Sequence, residues 1–327
     1  MQKYSGIGGQ AVIEGIMMRN GGQYSIAARK ENGEIALTVR PYKSIIPGKT
    51  IWKIPLLRGV VSFIDSLVVG VSSLMWSADQ AVEEDEKGED GQPKPEKTEE
   101  EKAKEERQWK WIMTGTVIFS VCFSIALFML LPFFIAGLLR KAGASDVLVN
   151  FIEAILRLAI FLGYMLLISR MKDIQRVFAY HGAEHKCINC IESGLDLNVE
   201  NVMKSSRQHR RCGTSFLLIV ISISIIVFLI LGLFQLQSGW TRLLWRLILI
   251  PVIAGVSFEI LRYAGSHEGK CINQLVKPGL ALQKLVTREP DEEECEVAIK
   301  AVEAVFDWRA WQGKDGADAK SDGADAK

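Results

Sequence analysis

Four long apolar runs dominate the chain. Trp111 to Leu139 is essentially charge-free, Val147 to Ser169 carries Glu153 and Arg157, Ser215 to Leu236 is wholly uncharged, and Leu243 to Leu261 contains Arg246 and Glu259. At about 1.5 Å per helical residue each can cross the roughly 30 Å hydrocarbon layer of a bilayer, so the pattern predicts four transmembrane helices. A fifth run, Val60 to Trp76, is shorter, is broken by Asp65 and is rich in serine, which predicts an interfacial or re-entrant helix over 59–78.

Ahead of these runs the pattern is strand-like. GGQAVIEGIMMR, QYSIAARK and EIALTVRPY, the last two separated by the turn residues Glu31-Asn32-Gly33-Glu34, predict a small β-rich segment within 1–58. Residues 79–107 are almost all Glu, Asp, Lys, Gly and Pro and predict a disordered charged linker. The transmembrane domain then occupies 108–263, with a polar loop at 170–214. Helical periodicity runs from the second span through RMKDIQRVFAYHGAEHKCINCIES, so that loop opens on an extension of the span ending near Gly194. Residues 264–312 read as helical, with Pro278 and Pro290 punctuating short helices and Asp291 near the start of an amphipathic one. The tail 313–327 repeats DGADAK and reads as disordered. The expected fold is thus an α-helical polytopic membrane protein with a small β-rich N-terminal segment and a helical C-terminal region.

Charge orients this arrangement. Residues 1–58 hold nine basic and three acidic side chains, and loop 170–214 is rich in Lys and Arg, whereas the loops near 140–146 and 237–242 carry only Arg140, Lys141 and Arg242. The positive-inside bias therefore predicts a multi-pass membrane protein with both termini and the 170–214 loop cytoplasmic. The opening MQKYSGIGGQ has no apolar signal-peptide core. The basic loop suits anionic lipid headgroups, at about 1 kcal/mol per residue near the surface. No nucleic-acid module is present, which argues against a nucleic-acid partner. Thiols on the cytoplasmic side stay reduced, so structural disulfides are not expected, and the Cys187-x-x-Cys190 pair reads best as packed thiols.

Chemistry concentrates in HGAEH at 181–185, which spends two of only four histidines one helical turn apart beside a carboxylate. Positions i and i+4 share a helix face, so His181 and His185 can ligate one ion while Glu184 handles a proton; the order H-x-x-E-H is that of inverted zinc peptidases. The expected cofactor is a divalent metal, Zn2+ by donor type. His209 or Cys212 is the nearest donor to complete the ion, with Glu192 in reserve. Three protein ligands leave a position for water, whose pKa falls toward about 7, with Glu184 as base; four make the site structural. Glu14, a lone carboxylate among apolar residues, needs either Arg19 or the metal cluster as partner. His267 and Glu268 follow the last span, in a string, YAGSHEGKCIN, that echoes YHGAEHKCIN, and are candidates to complete the polar site from the opposite hairpin, with a solvated helix end as the alternative. Glu153 and Arg157, four apart, read as an intrahelical pair facing the bundle interior.

GGQAVIEGIMMR at 8–19, AYHGAEHKCINCIE at 179–192, HRRCGTSF at 209–216 and PGLALQKLVTREPDEEECEVAIKAV at 278–302 together resemble the YqhQ-type family of bacterial membrane proteins of unknown function, described as predicted metal-dependent enzymes. The resemblance covers nearly the whole chain. It implies a membrane protein with a metal site and names no substrate. Two functions stay open: a metal-dependent hydrolase acting on a membrane protein or lipid-linked substrate, and a non-catalytic membrane adaptor or regulator with a structural metal or polar site.

Overall fold

A computed structural model describes residues 4–46, 54–82, 99–232, 239–267 and 269–314. The chain is mostly helical, behind an N-terminal four-stranded sheet. Two compact units form. One comprises 1–82, 168–220 and 250–327, the other 83–167 and 221–249.

In the first unit the sheet is an antiparallel meander of β1 (Gly8–Val12), β2 (Gly15–Asn20), β3 (Gln23–Arg29) and β4 (Ile35–Pro41). GGQAVIEGIMMR thus folds as two strands, with Val12 opposite Gly15 across a two-residue turn. Glu14 sits in that turn at φ 50°, a left-handed conformation unusual for a side-chain-bearing residue. Gly15 directly follows because a Cβ there would lie 2.0 Å from the Ala27 carbonyl on β3.

The helix expected over 59–78 is longer than its apolar run, α1 (Pro55–Val82). Among the described residues five helical stretches, not four, are long and apolar enough to cross a membrane: Pro55–Gln80, Thr114–Lys141, Asp146–Ile168, Gly213–Gly232 and Leu243–Gly265. Asp65 does not interrupt α1, because its charge is consumed by the sheet edge. Its carboxylate accepts from the Tyr42 hydroxyl at 2.8 Å and the Ile45 N–H at 2.9 Å. Ser77 Oγ accepts the Ile13 N–H at 3.1 Å, tying the other end of α1 to the first hairpin.

The helix carrying the histidine motif is separate from the preceding span. α4 (Asp146–Ile168) ends, Met171 turns extended at ψ 128°, and α5 (Lys172–Glu192) begins. The break survives because the Ser169 carbonyl accepts from Gln175 Nε2 at 3.2 Å. Gly194, at φ +78°, supplies the left-handed residue that closes α5. Nearly every side chain from Ala179 to Glu192 is buried, since the sheet covers one side of α5 and α10 (Glu292–Glu303) another. Ile16, Met18, Tyr180, Ile188, Val302 and Trp308 belong to this common core. α10 starts where sequence placed it, on a capping box in which Asp291 accepts the Glu294 N–H and Glu294 accepts the Asp291 N–H. Pro278, expected to end a helix, lies inside α9 (Lys270–Val286).

α7 (Gly213–Gly232) and α8 (Gly239–Ser266) follow α6 (Val199–Lys204), and α11 (Trp308–Gln312) ends the described chain. α1 and α8 touch through glycines: a Cβ on Gly59 would lie 2.8 Å from the Gly255 carbonyl. Beside that contact Arg58 grips Glu259 with two hydrogen bonds, of 2.6 and 2.9 Å.

In the second unit α2 (Glu99–Ile125) passes through a π-helical turn, Ala126–Leu130, into α3 (Leu131–Lys141). Pro132 has no N–H, so the Phe128 carbonyl four residues earlier loses its helical partner. Arg157 Nε replaces it at 3.2 Å. Arg157 also reaches Glu153 at 2.9 Å, as the four-residue spacing predicts, and Arg246 of α8 binds the same carboxylate through both its oxygens. Residues 99–107 of the expected linker are helical, while its stretch 83–98 lies outside the described residues, as do 315–327 of the expected disordered tail.

Candidate metal centre

α5 presents His181 and His185 on one face, and the polar segment before α7 brings Cys212 against them. His181 Nε2 lies 3.2 Å from Cys212 Sγ. Donor atoms of His181, His185 and Cys212 all fall within 4.8 Å of one another. The imidazole tautomers are set from behind. His181 Nδ1 is 3.0 Å from the Val286 carbonyl and His185 Nδ1 is 2.6 Å from the Arg207 carbonyl, so each Nδ1 carries the proton and donates. That leaves both Nε2 lone pairs facing inward, the outer arrangement that metal-ligating histidines use. Two imidazoles and a thiolate form a borderline-soft donor set that fits Zn2+.

Electrostatics agree with the geometry. Burial pushes the Cys212 thiol up, but His181 and His185 beside it outweigh this and hold it well below the usual thiol range. Burial likewise disfavours a charged His181, yet the Cys212 sulfur and Glu184 raise its pKa to about 9.

Glu184 is buried next to both histidines, its Oε2 3.9 Å from His181 Nε2 and 3.8 Å from His185 Nε2. Its other oxygen accepts the Gly9 N–H at 3.1 Å. This explains the glycine of the N-terminal motif: a Cβ at Gly9 would sit 2.4 Å from the Met17 carbonyl and 3.2 Å from Glu184 Cγ. A cleft of about 450 Å3 opens over the group, lined among others by Gly9, His181, Glu184, His209 and Cys212.

The remaining sequence candidates do not join these three donors. His209 is buried nearby, its ring 5.6 Å from that of His185, but its Nε2 lies 3.2 Å from Arg211 and 3.8 Å from Glu192. Burial, reinforced by Arg211 and His185 and opposed by Glu192, keeps His209 below its ordinary pKa. Glu192, the reserve ligand, is taken up by Arg211 and by the Ser5 N–H and hydroxyl at 2.9 and 2.7 Å. Burial would raise its pKa, but His209, Ser5 and Arg211 hold it down at about 2. Glu14 pairs with neither expected partner: it binds Arg176 of α5, while Arg19 stacks on the Tyr42 ring at 3.4 Å. His267 is exposed and stacks on Tyr263, with ring centroids 4.1 Å apart, so its echo of the first motif is not repeated in burial; Glu268 lies outside the described residues. Cys187 is packed in the core, and burial raises its thiol pKa well above the usual value.

Sequence reading missed the contributions made by backbone: the Val286 and Arg207 carbonyls and the Gly9 N–H. Only the density of glycine in GIGGQ hinted at one of them.

A membrane-protein-like helical chain with an N-terminal sheet and a buried His/Cys cluster is the class these features define. A family model described as "Protein of unknown function (DUF1385)" matches residues 54–308, and the chain belongs to that family. It is 37% identical over 297 residues to the "Uncharacterized protein YqhQ" of Bacillus subtilis (strain 168), covering 90% of each chain. No solved structure matches it.

Proposed function

We propose that the protein is a metal-dependent hydrolase of the bacterial cytoplasmic membrane that works at the cytoplasmic face on a membrane protein or lipid-linked substrate. The observation that carries this reading is the convergence of His181 Nε2, His185 Nε2 and Cys212 Sγ beside the Glu184 carboxylate in an open cleft. A divalent ion held there would supply Lewis acidity toward water and the substrate's electrophilic group. Glu184, held by the Gly9 N–H, takes the proton from water and returns it to the leaving group. In its metal-binding form the adaptor reading takes a fourth protein ligand. His209, the expected fourth, has its Nε2 directed at Arg211, 3.2 Å away, rather than at the three donors, which favours the open, three-ligand form.

Glu184→Gln is the test. Metal content should stay at the wild-type level, while complementation of a strain lacking the protein should fail, as expected of a base worth about 10²–10⁴-fold in rate. Full complementation by Glu184→Gln would sink the hydrolase and leave the structural site.

We further propose a membrane topology, supported by a parity argument. Glu184 of α5 touches Gly9 of β1, so sheet and α5 share one side of the membrane. Three candidate helices separate them in sequence, and an odd number of crossings would put them on opposite sides. α1 is the one that does not traverse, because Asp65 and Ser77 bind it to the sheet. The Lys- and Arg-rich 170–214 loop supports the cytoplasm as the shared side. Cysteines introduced at Asn32 and Glu200 should both resist an impermeant thiol reagent in intact cells and both react in inverted vesicles. Opposite behaviour of the two positions would refute the arrangement.

A further inference from the structure

Two further cavities of the first unit meet at the end of α8. One is a polar cleft of about 800 Å3 whose lining includes Asn189, Gln208, Arg210, Arg211 and His267. The other is an apolar groove of about 720 Å3 between α1, α8 and α9, lined by residues such as Leu56, Val256, Ile260, Tyr263 and Ile272. The stacked rings of Tyr263 and His267 join them, one facing the groove and the other the cleft.

Charge in the polar cleft is uneven. Of its basic lining residues, Lys204 is paired with Glu200 and Arg211 with Glu192, whereas the half-buried Arg210 has no hydrogen bond or ion pair among the described residues. An uncommitted guanidinium in a concave site suits a phosphate, which it can meet with two parallel hydrogen bonds. An apolar groove beside it suits acyl chains, and the two chemistries are combined in one ligand class.

We propose that cleft and groove together seat one phospholipid, with its phosphate-bearing headgroup at Arg210 and its acyl chains along α8. The polar cleft shares Tyr4, His209 and Arg211 with the cleft over His181 and Cys212, so a seated headgroup lies next to the candidate metal centre. Phospholipid thereby becomes the substrate class; this step rests on the hydrolase reading above.

Binding can be measured apart from catalysis. The full chain, purified in dodecyl maltoside, is titrated by native mass spectrometry with dioctanoyl phosphatidate, dioctanoylglycerol and inorganic phosphate, and zinc is quantified in the same samples. Phosphatidate should bind one per chain, at least about tenfold more tightly than the other two probes, each of which carries half of its chemistry. Arg210→Gln should weaken phosphatidate about tenfold and leave dioctanoylglycerol unchanged, because a charge-assisted hydrogen bond to the phosphate is lost. Ile260→Trp, which fills the groove, should weaken both lipids and spare inorganic phosphate. Phosphatidate affinity unaffected by Arg210→Gln, inorganic phosphate binding as tightly as phosphatidate, or no saturable lipid binding at all would each overturn the proposal. Lipid binding without zinc would support the seat while removing the hydrolase; zinc without lipid binding would do the reverse.

Discussion

The chain buries two groups of charged side chains, and they are built in opposite ways. In the second unit Glu153 lies between Arg157 and Arg246, the Arg157 guanidinium also faces the Phe228 ring at 4.7 Å, and its Nε takes the Phe128 carbonyl. The space left there is about 10 Å3, room for one water. In the first unit two imidazole nitrogens and a sulfur turn toward one another under a cleft of about 450 Å3, and their outer atoms are tied to backbone carbonyls. The first group spends its charges on itself and so fastens helices. The second holds its lone pairs unspent and so can bind. Burial of charge alone does not separate the two cases; the direction of the lone pairs and the space beside them do.

Breaking the closed group should cost the most stability. Arg246→Met strands Glu153 with a single partner in an apolar setting and should destabilise the protein by about 3–5 kcal/mol. Thermal unfolding in detergent, followed by circular dichroism, checks this, and metal content should not change. Loss of metal in that variant would mean that the two groups are not separable.

A smaller effect concerns pH. Burial raises the Glu294 carboxyl from 4.5 to about 7, with Asp291 and Glu14 adding to the shift and Arg176 opposing it. The folded protein then holds this proton more tightly than the unfolded chain does. The contribution is full below about pH 4.5 and is lost as pH rises through about 7. Glu294→Gln keeps an acceptor for the Asp291 N–H and removes the ionisation. Unfolding midpoints of the wild type should fall between pH 5 and 8, and those of the variant should fall less. Equal slopes would place the pH dependence elsewhere.

Much of this was legible in the residues. Four apolar runs, the alternation in the N-terminal strands, the Asp291 start and the Glu153–Arg157 pair are local signals, and each reappears as a local structure. HGAEH is local too, since helical spacing alone puts His181 and His185 together. Cys212 was nominated by donor type and stands 3.2 Å from His181. What escaped was long-range. α1 was read as short because Asp65 looked like a break, and its partner Tyr42 is 23 positions away. Glu14 found Arg176 rather than Arg19 because the sheet packs on α5, a contact that no periodicity encodes. His209 was drawn to Glu192 by Arg211, a neighbour whose direction only the folded loop determines.

The account turns on one divalent ion shared by His181, His185 and Cys212. Metal analysis by mass spectrometry of the purified wild type, His185→Ala and His209→Ala tests it most directly. About one zinc per chain in the wild type and in His209→Ala, with near-complete loss in His185→Ala, is the expected result for a three-ligand site. Equal metal in all three proteins, or none in the zinc-supplied wild type, would contradict it.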